Sequence, residues 1–301
     1  MFSYRHAFHA GNHAGVLKHM ALVAVLRHLA LKDTAFSVLD THAGAGLYRL
    51  DGQAARTSGE AGDGVLALLP AQSGEADESP PLPAALADYL GVVQDCASRH
   101  GPRAYPGSPF ITAALLRPDD RLKACEVHPT DAKLLAQNLE SLGRGRQITA
   151  LREDGFGVVR KFWPPPSRRG LLLCDPSYEI KSDYERVPQL LEEALKRFAT
   201  GVAAIWHPII PRPEAHQLPK RLKALAQQAG KPWLYATLAV GGEAPKRLPG
   251  QAKAPTRLRA SGVFIVNPPH TLAGQLRAAL PVVTQRLGKD RHAGFQVLTQ
   301  G

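Results

Sequence analysis

Four short groups of residues in this 301-residue chain could do chemistry, and each follows a short apolar run. The most informative is Asp175-Pro176-Ser177-Tyr178, directly after Gly170 to Cys174. An aryl amine is a poor nucleophile because its lone pair is delocalised into the ring. A carboxylate and a backbone carbonyl that accept its N–H bonds favour a pyramidal nitrogen with a localised lone pair, and so stabilise attack by positioning and fixed dipoles. Asp175 would supply the carboxylate, Pro176 the carbonyl, and Tyr178 a ring to stack on a base that has left its helix. A strand ending in an Asp-Pro turn is common in isolation, so the other groups decide its weight.

The second group is Asp40-Thr41-His42-Ala43-Gly44-Ala45-Gly46. Its two glycines let the backbone turn sharply and approach a ligand closely, although any tight strand-to-loop turn can use such a pair. The three-glycine dinucleotide fingerprint is absent, which argues against NAD. Glu126 closes another run and can accept hydrogen bonds from both ribose hydroxyls of a nucleoside cofactor; an ordinary surface Glu is an even alternative. Asp154-Gly155 could hold an adenine amine, and a plain turn is an equally good reading. Asn267-Pro268-Pro269-His270 repeats part of the Asp175–Tyr178 pattern but lacks the aromatic, and reads as a strand-to-helix turn.

The elements that must position these groups alternate. Strand-like runs fall at Phe36–Thr41, Leu122–Val127, Gln147–Leu151, Gly170–Asp175, Val202–His207, Trp233–Val240 and Ala260–Asn267. Helical patterns lie near 15–32, 108–117, 129–142, 183–198, 213–229 and 271–287. Short, mostly apolar runs alternating with helices predict an α/β fold with a seven-stranded, mostly parallel sheet covered on both faces. The last two strands have no helical pattern between them and suggest a closing antiparallel hairpin. Ligands in such sheets sit beyond the carboxyl ends of the strands, where all four groups fall. Residues 51–105 break the rhythm with a turn-rich stretch and a probable helix, Ala84–His100, and read as an inserted helical subdomain. Residues 1–50 and 106–301 would then form the main domain.

Lys plus Arg number 37 against 26 Asp plus Glu, a net +11 that favours polyanionic partners such as nucleic acid. The insertion opposes this trend: residues 51–100 hold eight acidic and two basic side chains. A basic loop, Gly241 to Ser261, carries Lys246, Arg247, Lys253, Arg257 and Arg259 and is the best candidate phosphate clamp, with Arg168 and Arg169 second; a solvated basic face is the competing reading. Cys96, Cys125 and Cys174 have no metal-ligand spacing and read as core thiols in a reducing compartment. His6, His9 and His13 have only crude ligand spacing, and no metal is expected. The N-terminus lacks the build of a signal peptide, and the longest apolar stretch, Met20 to Leu26, is too short to span a bilayer. A cytoplasmic location follows.

Asp175 to Tyr178 resembles the D/N-P-P-Y/F/W signature of methyltransferases that modify exocyclic amines, with Ser177 replacing the second proline. Serine keeps the preceding carbonyl and gives up some rigidity. The glycine loop with Asp40 upstream resembles that of Rossmann-like class I methyltransferases. The N-terminal run Tyr4-Arg5-His6, Phe8 to Ala14 and Val16 to His19 narrows the resemblance to the RlmJ family, the 23S rRNA adenine-N6 methyltransferases. Matching blocks continue at Leu39–Gly46, Tyr105–Pro109, Glu126–Pro129, Asp154–Phe156, Ser167–Gly170, Asp175–Glu179 and Lys196–Gly201.

The resemblance implies S-adenosylmethionine as cofactor and 23S rRNA, protein-free or an early precursor, as substrate of a monomer. It implies that Lys18 and His19 meet the methionine end and that His42 and Ser108 line the pocket, beside Gly44 and Gly46. Glu126 would hold the ribose, and Asp154 with Gly155 the adenine. Asp175 would face the target amine and Tyr4 would lie near the target base, with residues 1–19 folded over the site and the insertion helping to hold RNA. Two alternatives stay open: a DNA adenine or other amino methyltransferase, told apart by transfer to duplex DNA, and a nucleic-acid-binding scaffold that has lost catalysis, told apart by cofactor binding without turnover.

Overall fold

The structure is a computed structural model that describes residues 6–69, 80–242 and 258–300. Helix α1 (His13–Ala30) leads into strand β1 (Ser37–Asp40). The ribbon β2 (Leu47–Arg49) and β3 (Ala104–Pro106) frames α2 (Gln53–Ser58), α3 (Val65–Leu68) and α4 (Ala84–His100). The alternation then runs α5 (Ser108–Leu115), β4 (Arg121–Cys125), α6 (Pro129–Glu140), β5 (Ile148–Leu151), α7 (Val159–Phe162), β6 (Gly170–Cys174) and α8 (Asp183–Arg197). It closes with β7 (Val202–Pro208), α9 (Pro213–Gln228), β8 (Trp233–Ala239), β9 (Ala260–Val266), α10 (Leu272–Leu287) and β10 (Gly294–Thr299).

The main sheet has the order β10-β8-β9-β7-β6-β1-β4-β5. Strands β5, β4, β1, β6 and β7 are parallel, and β9 pairs antiparallel with both β7 and β8. All five residues of β6 are buried, as a strand covered on both faces requires. The chain runs outward from β1 through β4 to β5, then returns to β6 on the other side. The resulting switch point opens a crevice beyond the carboxyl ends of β1 and β6.

The sheet has eight strands where seven were expected. The extra one, β10, pairs antiparallel with β8 at the edge, and its residues are half-buried or exposed. Its GFQVLT run therefore lacks the continuous apolar character by which the central strands were read. The β2–β3 ribbon was also missed, because three residues per strand are too few to show a period.

Helix α1 buries nearly every face, which its all-round apolar sequence demands. It lies between the sheet, at β7, β8 and β9, and helices α4, α5 and α10. Val65, Leu68, Leu86, Tyr89, Leu90 and Val93 belong to the same apolar cluster as the sheet strands. The described residues from 53 to 100 are thus built onto the main core through α1. The three cysteines are free and buried.

Candidate active site

The crevice is built from the strand ends inward. Strand β1 ends at Asp40, and Thr41 continues the ladder by donating its N–H to the Leu173 carbonyl at 3.0 Å. The chain then turns through Gly44 at φ +59°, where a Cβ would come within 2.2 Å of the Tyr48 hydroxyl, so glycine is required. The Gly44 N–H donates to Glu126 Oε2 at 2.8 Å, and the His128 N–H donates to Oε1 at 2.8 Å. Glu126 thereby ties the loop after β1 to the end of β4. Burial pushes its pKa up against the pull of these N–H groups. Each of its oxygens keeps a second lone pair.

Gly46 passes its carbonyl to the Gly107 N–H at 2.8 Å, which seats the start of α5 and places Ser108 beside Asp40. Asp40 is fully buried, and neither carboxylate oxygen makes a well-formed hydrogen bond with a described group. Burial raises its pKa to about 6, although the nearby Ser108 hydroxyl and Lys18 ammonium oppose the shift.

A Cβ on Gly155 would lie 1.9 Å from the Thr41 carbonyl oxygen, so only glycine lets the turn after β5 press against the end of β1. Asp154 is exposed and ion-paired with Arg186, whose guanidinium carbon stands 4.0 Å over the Phe156 ring. The other neighbour of that ring is His42, edge-on at 4.8 Å. The Thr41 hydroxyl lies 3.0 Å from the Leu173 carbonyl and 2.7 Å from His42 Nδ1, which ties the ring to the end of β1. Burial lowers the His42 pKa to about 3, which keeps the ring neutral.

Asp175 follows β6 and is buried, and Lys18 of α1 ion-pairs with its Oδ2. Burial raises the Asp175 pKa, and the Lys18 charge pulls against that rise. His19, also buried, joins Nδ1 to the Tyr105 hydroxyl at 2.9 Å, and Tyr105 meets Tyr89 at 3.0 Å. Burial holds His19 well below its ordinary pKa. Tyr178 takes a left-handed backbone at φ +54°, with its N–H on Asp183 Oδ2 at 3.1 Å and its hydroxyl donating to the Trp206 carbonyl at 2.7 Å. Its ring is therefore fixed against β7, tilted on Tyr184 at 4.8 Å.

A cavity of about 250 Å³ opens between α1, the Asp175 turn and the end of β7. Lys18, His19, His42, Ser108, Asp175 and Tyr178 line it. Gly44, Gly46, Glu126, Asp154, Gly155 and Pro176 do not; they shape the loops beside it. The sequence reading missed Tyr48, Tyr105, Trp206, Ile210 and Arg212 of the lining. Trp206 sits inside the apolar run of β7 and looked like core. Arg168 and Arg169 lie at the opposite end of the sheet, because they precede β6. Arg169 donates to the Leu29 carbonyl at 2.7 Å and also to Thr34, closing the α1–β1 connection. Arg259 follows the lining residue Leu258 but does not itself line the cavity, and its charge acts on Asp290. Tyr4, Lys246, Arg247, Lys253 and Arg257 fall outside the described residues. Among the described residues no group of three or more His, Cys, Asp or Glu side chains could hold a metal, and no helix is long and apolar enough to cross a membrane.

A doubly wound sheet with a glycine turn after its first strand and Asp-Pro-Ser-Tyr after its fourth parallel-wound strand defines a class I S-adenosylmethionine-dependent methyltransferase. The residues present fit that cofactor. Buried Asp40 has only the Ser108 hydroxyl and the His42 backbone beside its carboxylate, His19 Nε2 is unpartnered among the described residues, and Glu126 retains acceptor capacity, which together suit a cationic, hydroxyl-bearing ligand. The family model described as RsmJ, ribosomal RNA large subunit methyltransferase D, RlmJ, matches residues 33–298, and the chain belongs to this family. Relatives named ribosomal RNA large subunit methyltransferase J are 38% identical over 290 residues in Haemophilus influenzae and 39% identical over 287 in Escherichia coli K12. Each alignment covers 95% of this chain and 94% of the relative. The crystal structure of protein LPL1258 from Legionella pneumophila superposes with a TM-score of 0.80 at 26% identity, covering 97% of this chain and 98% of that one.

Proposed function

We propose that this enzyme methylates the exocyclic N6 amine of an adenine in 23S rRNA, with Asp175 as the residue that receives the amine. The observation that carries the reading is the placement of Asp175: buried at the end of β6, lining the cavity, with Oδ2 held by Lys18. Oδ1 has no hydrogen bond among the described residues and is the oxygen offered to one N–H of the amine. The Pro176 carbonyl is the second acceptor. Accepting both N–H bonds localises the nitrogen lone pair toward the methyl donor. The bound cofactor supplies a methyl group on a positively charged sulfonium. The amine held on Asp175 and the Pro176 carbonyl would receive that methyl group, with its lone pair turned toward the cofactor. The proton left on nitrogen then departs along the hydrogen bond to Asp175, after transfer, because a carboxylate is a weak base toward the neutral amine.

Lys18, His19 and Ser108 would hold the methionine end of the cofactor, with Glu126 at the ribose and Asp154, Gly155 and Phe156 at the adenine. The apolar side of the cavity, Trp206, Pro208, Ile210 and Leu258, suits a flat base, and exposed Arg212 stands at its mouth for a phosphate. Names of the relatives support the RNA substrate and, with it, a cytoplasmic place of action. The test is transfer of labelled methyl from S-adenosylmethionine to protein-free 23S rRNA and to duplex DNA, with Asp175→Ala alongside. Transfer to the RNA that falls by about a thousandfold in the variant, with cofactor binding retained, is expected. Equal transfer by both proteins, or transfer only to DNA, would overturn the reading.

A further inference from the structure

The acidic insertion makes a contact with the N-terminal segment that explains part of its charge. Glu60 precedes a tight turn that ends at α3, and its side chain is only 12% exposed. Oε2 pairs with His9 Nδ1 at 2.9 Å and accepts from Asn12 Nδ2 at 3.0 Å. Asn12 is the N-cap of α1: its own Oδ1 accepts the Gly15 N–H at 2.8 Å. One amide side chain thus joins the insertion to the first turn of the helix that carries Lys18 to Asp175.

The backbones meet as closely as the side chains. Val65 donates its N–H to the Gly11 carbonyl at 2.7 Å. A Cβ on Gly64 would lie 2.1 Å from that same carbonyl oxygen, and one on Gly11, at φ +77°, would lie 2.8 Å from Val65 Cγ1. The approach therefore needs both glycines. His6, His9, Ala10, Gly11 and Asn12 form a wall of the cavity, while Glu60 does not line it. Charge elsewhere in the insertion is also turned toward the protein's own cations, since Asp51, Asp63, Asp88 and Asp95 pair with Arg49, Lys289, Arg27 and Arg99.

We propose that Glu60 is a positioning residue for methyl transfer, clasping residues 6–12 through Asn12 and His9 so that the wall opposite Asp175 is set before RNA arrives. The proposal rests on the reading of this cavity as the methyl-transfer site. It gives the insertion a role in building the site rather than in gripping phosphates. The clasp acts on the turnover of a bound base, because a wall displaced by an ångström costs rate out of proportion to binding.

The test compares Glu60→Ala and Glu60→Gln with wild type in single-turnover methyl transfer to 23S rRNA, alongside cofactor affinity and amide hydrogen exchange. Glutamine with its amide oxygen in the place of Oε2 keeps one acceptor for both the Asn12 amide and a His9 Nδ1–H. Glu60→Ala is expected to lower the transfer rate about tenfold, to leave the cofactor Kd within about twofold, and to speed exchange at the Gly15 amide. Glu60→Gln should recover most of the rate. Asn12→Ser, which keeps a helix cap but drops the Glu60 bond, should reproduce the loss and serves if Glu60→Ala folds poorly. Wild-type rates in Glu60→Ala, or equal loss in the alanine and glutamine variants with Gly15 exchange unchanged, would overturn the clasp. Exchange does not depend on RNA, so a wild-type enzyme silent on rRNA while Glu60→Ala loses Gly15 protection would instead reject the substrate.

Discussion

Two buried aspartates bracket β1, and they are treated in opposite ways. At the amino end, Asp120 accepts the Phe36 N–H at 2.9 Å, the Arg117 N–H at 2.9 Å and the Arg117 guanidinium at 3.0 and 3.1 Å. Burial acts against its charge, yet these bonds hold its pKa below the ordinary carboxylate value. At the carboxyl end, Asp40 is equally buried and has no well-formed hydrogen bond, so burial lifts its pKa to about 6. The amino end closes itself: Arg117 and Arg169 also take up carbonyls of Ala30, Lys32 and Leu29. The carboxyl end keeps acceptors in reserve at Asp40, Glu126 and Asp175. A carboxylate saturated by its own chain stabilises a fold, whereas a buried one left short of donors keeps capacity for a ligand.

The comparison can be broken most strongly at Asp120. Asp120→Ala leaves the Phe36 N–H and Arg117 without their acceptor and should cost about 3 kcal/mol of stability, discounted because Arg117 is partly exposed. Denaturant unfolding would show this, and turnover per folded molecule should stay near wild type. Asp40→Asn is the mirror experiment. A carboxyl whose folded pKa lies above its unfolded value costs the fold stability once it ionises, so removing the charge helps above pH 6 and has no such effect below about pH 4. A gain of about 2 kcal/mol at pH 8, with cofactor affinity lowered about tenfold, is expected; a loss of stability at pH 8 would mean that Asp40 is satisfied after all.

A smaller effect sharpens the Lys18–Asp175 pair. Lys18→Met removes the charge that opposes burial at Asp175, so the carboxyl should protonate at higher pH. The acid limb of the single-turnover rate should move to higher pH, and an unmoved limb would mean that another group sets it. The smallest effect lies away from the site. His207 is buried, stacks on Tyr235 at 5.6 Å, and has its pKa lowered by burial to about 4. Unfolded, it would protonate near pH 6.5, so the unfolded chain binds more protons between pH 6.5 and 4 and stability falls as pH drops through that window. His207→Leu should flatten that slope, read from unfolding at several pH values.

The central sheet was legible because doubly covered strands must be apolar throughout: FSVLDT, GLLLCD and VAAIWH carry that mark, and their ends fall within a residue or two of the observed strands. The edge strand β10 faces solvent and carries no such mark. At the site, Asp175, Glu126 and the glycine turn were legible as strand-end residues, since the topology sends every parallel strand end to one crevice. The same rule would have removed Arg168 and Arg169, which precede a parallel strand and so must lie at the far end. Trp206 was hidden because a cavity wall and a core strand have the same composition. Glu60 was hidden for a different reason: its partners, His9 and Asn12, lie about fifty residues away, and no local pattern encodes that pairing.

The measurement that bears most directly on the central claim is the identity of the modified nucleoside in protein-free 23S rRNA after incubation with labelled S-adenosylmethionine. Label recovered as N6-methyladenine at a single position is expected. Label in a different nucleoside, or none from a protein that binds the cofactor, would contradict the assignment of Asp175 to an adenine amine.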